Sequence, residues 1–480
     1  MNKQNWEVAY EEYVAKVIED SKVPGVAVGL AKDGELAYGQ GFGYRNIDEM
    51  LEVTIDTVFG IGSITKSFTC MAIMQLHEAG KLSVNDCVTT YLPEFRLKNG
   101  SSIATMTIHQ LMTHSTGMPP LPTLFPAMKK SMDLDAESNS EAQSTNELAT
   151  NVAIETYDEM LDYLAELDFQ MLGEPGTEFS YSNDSYALLG IIVERVSGQV
   201  YETYIKEHIL EPAGMTDTSF FLDELEGKEI TSIYESKEKE GNKEVSLSVN
   251  WWDAPAMRAA GFIKSTVRDM LKYADIYRSG GLAGDVRILS EGGIKQMITP
   301  HIQCEPGCHY GYGLMIIPDY HGTVLIEHGG SIKGAQAQMY IVPDQGLTGI
   351  VLTNMAGSPA TALMKGACNA YAGRPLTAKH IPIEEYELPE DRIQEFTGDF
   401  LSSEGMQVSI VVKDDKLQLV TEDTLSCEMI PVGEDLFMVE RRGSEALVRF
   451  IRDSNANIIR IGCGFRQIPK VVKPSSVSLS

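Results

Sequence analysis

The chain has 480 residues, 43% of them hydrophobic and 22% charged, which excludes a disordered or fibrous protein and leaves room for two or three domains. Its 68 acidic side chains against 39 basic ones give a formal net charge of -29. Such a surface repels phosphate backbones and anionic lipid at long range, so neither nucleic acid nor membrane is an expected partner.

The first twenty residues carry acids throughout and no apolar core, and read as an amphipathic helix rather than a signal peptide. No later stretch has the length needed to span a bilayer. The seven cysteines (Cys70, Cys87, Cys304, Cys308, Cys368, Cys427 and Cys463) are an odd number scattered over a large chain. That spacing predicts reduced thiols and a cytoplasmic location rather than a disulfide framework.

In residues 24–45 two apolar runs flank Asp33-Gly34, a hairpin signal. Residues 63–79 are mostly apolar and stop at Gly80, as a buried helix does. The stretch 121–155 is Pro-rich and then polar and acidic, so a long surface insertion is expected there, either a substrate-gating flap or a solvated loop. Helical stretches follow at 184–198 and 265–278, and strand-like runs at 310–317, 323–328, 335–342 and 347–353. Outer β segments around a helical middle predict one mixed domain over 1–373 whose sheet joins both ends of the segment. Residues 374–390 read as a linker. Short alternating segments at 408–412, 416–420, 436–440 and 446–451, separated by Asp414-Asp415 and Gly443, predict a small antiparallel barrel or sandwich over 391–480.

Three elements carry candidate chemistry. Ser63 and Lys66 stand three residues apart, so on a helix the hydroxyl and the amine meet on one face. A serine hydroxyl needs a base to become a nucleophile, and a lysine serves when desolvation lowers its pKa. Ser63 opens the helix, where free backbone N–H groups favour a developing oxyanion. Tyr181-Ser182-Asn183 precedes a helical run and presents a phenol and an amide. Tyr181 suits a general base and then a general acid; Asn183 suits holding a substrate carbonyl or fixing Lys66. His328-Gly329-Gly330 ends a strand, where the glycine pair admits substrate to the backbone edge. The N–H of Ser331 then pairs with that of Ser63 as an oxyanion hole. Each element has a bland alternative: a helix cap with a surface lysine, a structural Tyr or Asn, a structural histidine.

Together they resemble the serine β-lactamase and penicillin-binding-protein family, closest to its class C branch, which carries Ser-x-x-Lys, Tyr-x-Asn and Lys-Thr-Gly or His-x-Gly in this order. The resemblance runs over about residues 10–373 and includes 61–69, 107–119, 175–190, 212–220, 259–270 and 328–346. It implies an α/β (α+β) β-lactamase/transpeptidase-like domain, an antiparallel sheet with helices. It assigns Ser63 as acylated nucleophile, Lys66 and Tyr181 as acid–base partners, and Asn183, His328, Gly330 and Ser331 to the substrate. His328 departs from the β-lactamases, which place a lysine there. With an ordinary pKa of ~6.5, histidine is mostly neutral at pH 7, so selection for anionic substrates is expected to be weaker. Relatives with His-x-Gly include esterases and D-amino-acid peptidases. The tail, from 396–400 onward, resembles the lipocalin-like barrel appended to some members; it either caps the cleft or mediates homo-oligomerisation.

The resemblance brings no cofactor. Cys304, Cys308, His301 and His309 superficially suggest a metal cluster, but read better as loop residues, since a second ligand pair is missing. His109 and His114 fit hydrogen bonding within the fold. Gly39, Gly41 and Gly43 lack the dinucleotide fingerprint, and no G-x-S-x-G elbow is present. Two functions remain: a hydrolase of small-molecule or peptide esters and amides, or a penicillin-binding sensor that acylates with little turnover. A scaffold with an idle site is a weaker third.

Overall fold

Asp33 and Gly34 both take positive φ (53° and 85°), the requirement of the two-residue turn that matches strand twist. This turn joins Gly25–Lys32 to Glu35–Asn46 in an antiparallel hairpin. The computed structural model describes residues 5–98, 103–138, 152–239, 242–379, 386–421, 426–441 and 444–471. On its other edge Gly25–Lys32 pairs with Leu347–Thr353, in a register from Val26↔Thr353 to Lys32↔Leu347. The two ends of the domain therefore meet inside one sheet, as the sequence predicts.

Nine strands form that sheet among the described residues, every neighbouring pair antiparallel. From one edge the order is Ile302–Glu305, Cys308–Tyr310, Met315–Tyr320, Thr323–Ile332, Ala335–Val342 and Leu347–Thr353. It continues through Gly25–Lys32 and Glu35–Asn46 to Leu51–Glu52. The central strands are buried on both faces. Ala27, Ile350 and Leu352 join the core under the helical layer, while Val26, Val28 and Val351 join a second core beneath the helices Asn5–Ser21 and Ala360–Tyr371. Gly29 has a packing reason: a Cβ there would strike Val267 and stand 3.0 Å from Leu271, so the helix Val267–Arg278 lies directly on the strand.

The helical layer follows its local signals. Ser182 caps Asn183–Ser197 by accepting from the Ser185 N–H, and Gly198 ends it at φ 75°. Thr266 caps Val267–Arg278 in the same way. Thr65–Glu78 is buried on almost every side, which its continuous apolar run required.

Residues 121–155 are not the expected surface insertion over their described part. They form a helix, Leu124–Ser138, with Leu121, Ala127 and Met128 in the core. Pro126 lies in the first turn, where the missing N–H is unneeded, so the proline that suggested a loop is compatible with helix. Trp252 Nε1 donates to Asp135 Oδ2 (2.6 Å) and Asn250 Nδ2 to the Ser131 carbonyl (3.1 Å), holding the helix over the domain. Residues 139–151 of that stretch lie outside the described residues.

The run after Gly373 is tied down at its start. Asn369 Nδ2 donates to the carbonyls of Leu376 and Ala378, and Arg374 Nε donates to Asn369 Oδ1 (2.9 Å). The strands Gln407–Lys413 and Lys416–Thr421 alternate as predicted, whereas Phe437, Met438 and Val439 are all buried, and Asp414-Asp415 make their turn at φ 52° and 61°; Gly443 lies outside the described residues. A closed lipocalin-like barrel is not observed among those residues. The strands fall into a four-stranded sheet (Gly398–Leu401 to Ser426–Glu428) and a five-stranded sheet (Ile430–Gly433 to Arg466–Pro469). The chain changes sheets at Met429, whose side chain turns into the core and whose N–H donates to the Leu417 carbonyl (2.9 Å). Phe396, Phe400, Phe437 and Phe450 fill the space between the sheets.

Gly29→Ala is expected to overpack the helix Val267–Arg278 and cost about 1–3 kcal/mol of stability. Urea denaturation measures it; an unchanged midpoint would show that the helix retreats freely.

Candidate active site

Ser63 lies in a tight turn, Gly62–Ile64, that runs into the helix Thr65–Glu78. The turn is pressed against the strand Thr323–Ile332. Gly62 has φ 50°, and a Cβ on it would lie 2.6 Å from the Ser331 nitrogen. A Cβ on Gly330 would collide with the Ile61 carbonyl and stand 3.3 Å from the Ser63 nitrogen. Glycine is required at both positions, and the backbones of Ser63 and Ser331 come together at the mouth of a cleft of about 820 Å³.

Lys66 follows one helical turn later and is fully buried. Its Nζ donates to Ser63 Oγ (3.2 Å), Asn183 Oδ1 (2.8 Å) and the Ala260 carbonyl (2.7 Å). Burial, and secondarily the charge of Arg466, push its pKa well below the ordinary lysine value. Asn183 thus fixes Lys66. Tyr181 lies beside the pair, its ring centroid 4.8 Å from Lys66 Nζ. Burial raises the phenol, while the Ser63 hydroxyl and Arg466 pull it back only in part, so it keeps its proton at neutral pH.

His328 sits on the cleft wall with both ring nitrogens engaged inside the protein. Nδ1 donates to the Gly329 carbonyl (2.6 Å), and Nε2 accepts from Tyr310 Oη (3.1 Å). Burial pushes it down to about 4, so it is neutral at pH 7. His114 has a related position: its Nδ1 accepts from the Ser182 N–H (3.0 Å), and its ring lies 4.2 Å from that of Tyr181. It holds the Tyr181–Asn183 loop in place. His109 Nδ1 meets Tyr312 Oη at 2.8 Å.

Sequence reasoning allowed the C-terminal unit to cap the cleft but missed the residues that it brings there. The turn Gly464-Phe465, both at positive φ, enters the cleft, and the Tyr181 N–H donates to the Phe465 carbonyl (2.9 Å). The Arg466 guanidinium lies 5.1 Å from the Tyr181 ring centroid and donates to Glu404 Oε2 (2.6 Å). Gln467 Nε2 donates to Glu178 Oε2 (2.6 Å), and Arg460 Nη1 donates to the Leu172 carbonyl (2.9 Å). A phenylalanine in the left-handed region is the one local signal, and it is conformational rather than compositional. Phe125, Met128, Trp252 and Phe262 give the cleft an apolar lining, and Glu305 and Glu327, both pushed up to about 7 chiefly by burial, line it as well.

A serine–lysine pair at a helix start, a Tyr-x-Asn loop and a glycine-rich strand on a large antiparallel sheet define the β-lactamase/transpeptidase fold. The chain belongs to the Beta-lactamase family, whose pattern matches residues 10–367. It is 28% identical over 344 residues to Protein flp of Staphylococcus aureus (strain NCTC 8325 / PS 47), covering 70% of this chain and 61% of that protein. The chain therefore spans about three fifths of the length of that relative. It is 23% identical to Penicillin-binding protein 4* of Bacillus subtilis (strain 168), covering 85% of this chain and 86% of that protein. Among solved structures, the octameric penicillin-binding protein homologue from Pyrococcus abyssi superposes with a TM-score of 0.68 at 28% identity, over 96% of this chain and 99% of that one. Among the described residues, no helix is long and apolar enough to cross a membrane.

Asp184, buried next to Asn183, is pushed up to about 7 by its burial. Its folded-state pKa exceeds the unfolded value, so the folded state loses stability as pH rises from about 4 through about 7. Asp184→Asn is expected to raise Tm at pH 8 and to flatten the decline between pH 5 and 8. A decline of unchanged slope in thermal melts would rule the assignment out.

Proposed function

We propose that the chain is a serine hydrolase that acts through an acyl-enzyme on Ser63, on esters or amides of the D-amino-acid peptide, simple ester or β-lactam-like kind. The observation that carries this reading is the contact of 3.2 Å between Lys66 Nζ and Ser63 Oγ at the cleft mouth. Neutral Lys66, favoured by burial, takes the hydroxyl proton as Oγ attacks the carbonyl. The oxyanion rests on the backbone N–H groups of Ser63 and Ser331. Tyr181, kept protonated by burial, gives a proton to the leaving group. Water then releases the acyl group by the reverse path. The direction in which burial moves each group supports Lys66 as base and Tyr181 as acid.

The cleft suits a substrate with an apolar portion against Phe125 and Trp252. His328 offers no cation, and Glu404 partners the charge of Arg466. Similarity to penicillin-binding proteins supports a second reading, a penicillin-binding protein that acylates and turns over little.

A fluorescent penicillin and a short-chain p-nitrophenyl ester test both readings. Ser63→Ala is expected to lower ester hydrolysis by at least about 10³-fold and to abolish covalent label; an unchanged rate would exclude Ser63. A stoichiometric burst without steady turnover would select the binder. The pH profile gives an independent check. As base, Lys66 makes kcat/KM rise with pH, along a limb well below the ordinary lysine range. Arg466 disfavours its protonated form, so Arg466→Ala is expected to move that limb to higher pH. A limb that stays in place would remove Lys66 as the titrating base.

A further inference from the structure

The edge hairpin Ile302–Glu305 and Cys308–Tyr310 carries two thiols, and no step of the proposed reaction uses them. Its register runs Ile302↔Tyr310 and Gln303↔His309, then shifts so that Glu305 pairs with Cys308 and Cys304 is the extra residue between. This is a β-bulge, two residues facing one. The sulfurs lie 3.3 Å apart. Both cysteines are free thiols in this structure. Cys308 is buried and lines the cleft; Cys304 is half-buried and faces the small groove between the hairpin and the C-terminal unit, beside Phe465 and Arg466.

We propose that Cys304 and Cys308 form a reversible dithiol–disulfide site in the wall of the cleft, oxidised by a small-molecule disulfide. The more exposed Cys304 attacks one sulfur of the reagent RSSR, forming Cys304–S–SR and expelling one RSH. Cys308 then loses its proton and attacks Cys304 Sγ, forming the Cys304–Cys308 bond and expelling the second RSH. Two protein thiols and one RSSR thus become one protein disulfide and two RSH. Burial and the neighbouring Cys304 hold the Cys308 thiol protonated, which makes Cys304 the entry point. The bond staples the bulge that carries Glu305 and backs the Phe465–Arg466 turn, so the redox state sets the shape of this wall.

The full chain is incubated with oxidised glutathione, quenched with an alkylating agent and digested with trypsin. Residues 296–333 lie in one tryptic peptide that holds Cys304 and Cys308 and no other cysteine. The expected result is a peptide two hydrogens lighter than the reduced one, unalkylated, and restored by dithiothreitol. Cys308→Ser is expected to stop at a glutathione adduct on Cys304, and Cys304→Ser to leave Cys308 alkylated after denaturation. Two separate adducts on wild type, two free thiols, or a bond from Cys304 to Cys463 would each overturn the proposal. The mass readout needs no enzymatic activity, so it stands or falls apart from the hydrolase reading.

Discussion

The site depends on keeping an amine where water cannot reach it. Burying an ammonium is costly unless all its donors are satisfied, and Lys66 Nζ has three oxygens within 3.2 Å. They come from three places in the chain: the Ser63 turn, the start of the helix Asn183–Ser197, and the turn Pro255–Ala260. These elements must pack together for the amine to be enclosed. A Cβ on Gly190 would stand 2.7 Å from that of Ala259, which shows how closely helix and turn approach. Arg258 secures the turn through Glu202 (2.9 Å) and Asp253. The same enclosure penalises the charged form and pushes the amine's pKa well below the ordinary lysine value.

Around that amine the ring-bearing polar groups are held neutral. His114, Tyr181, Tyr186, Tyr310 and His328 form a contiguous belt of rings, with hydrogen bonds that fix orientation without adding charge. His328 helps to hold the strand edge that faces Ser63. Its ring, pushed down to about 4 by burial, adds no charge there at pH 7.

The C-terminal unit belongs to the same site. Its Phe465 carbonyl takes the N–H of Tyr181, and Arg466 brings a cation to the face of the phenol while Glu404 balances its charge. The helix Leu124–Ser138 closes the cleft from the other side with Phe125 and Met128. Access to Ser63 is therefore shaped by two segments with no part in the three motifs.

Local chemistry was legible in the sequence. Asp33-Gly34 and Asp414-Asp415 specify turns by backbone preference, Ser182 and Gly198 bound a helix, and spacing alone brings Lys66 to Ser63. The motif order was enough to assign the fold of residues 10–373. Other features needed the tertiary structure. Arg466 lies some four hundred residues from Ser63 and meets Tyr181 because the C-terminal unit packs on the cleft. A proline disguised the helix after Leu121, whose buried positions become evident only against the core they fill. The chain leaves one C-terminal sheet for the next at Met429 because that side chain finds a core there, and Cys304 meets Cys308 because one strand slips by a residue. Turn and cap preferences act between neighbours and are written into the sequence. Which surfaces meet is decided by shape and burial over the whole molecule.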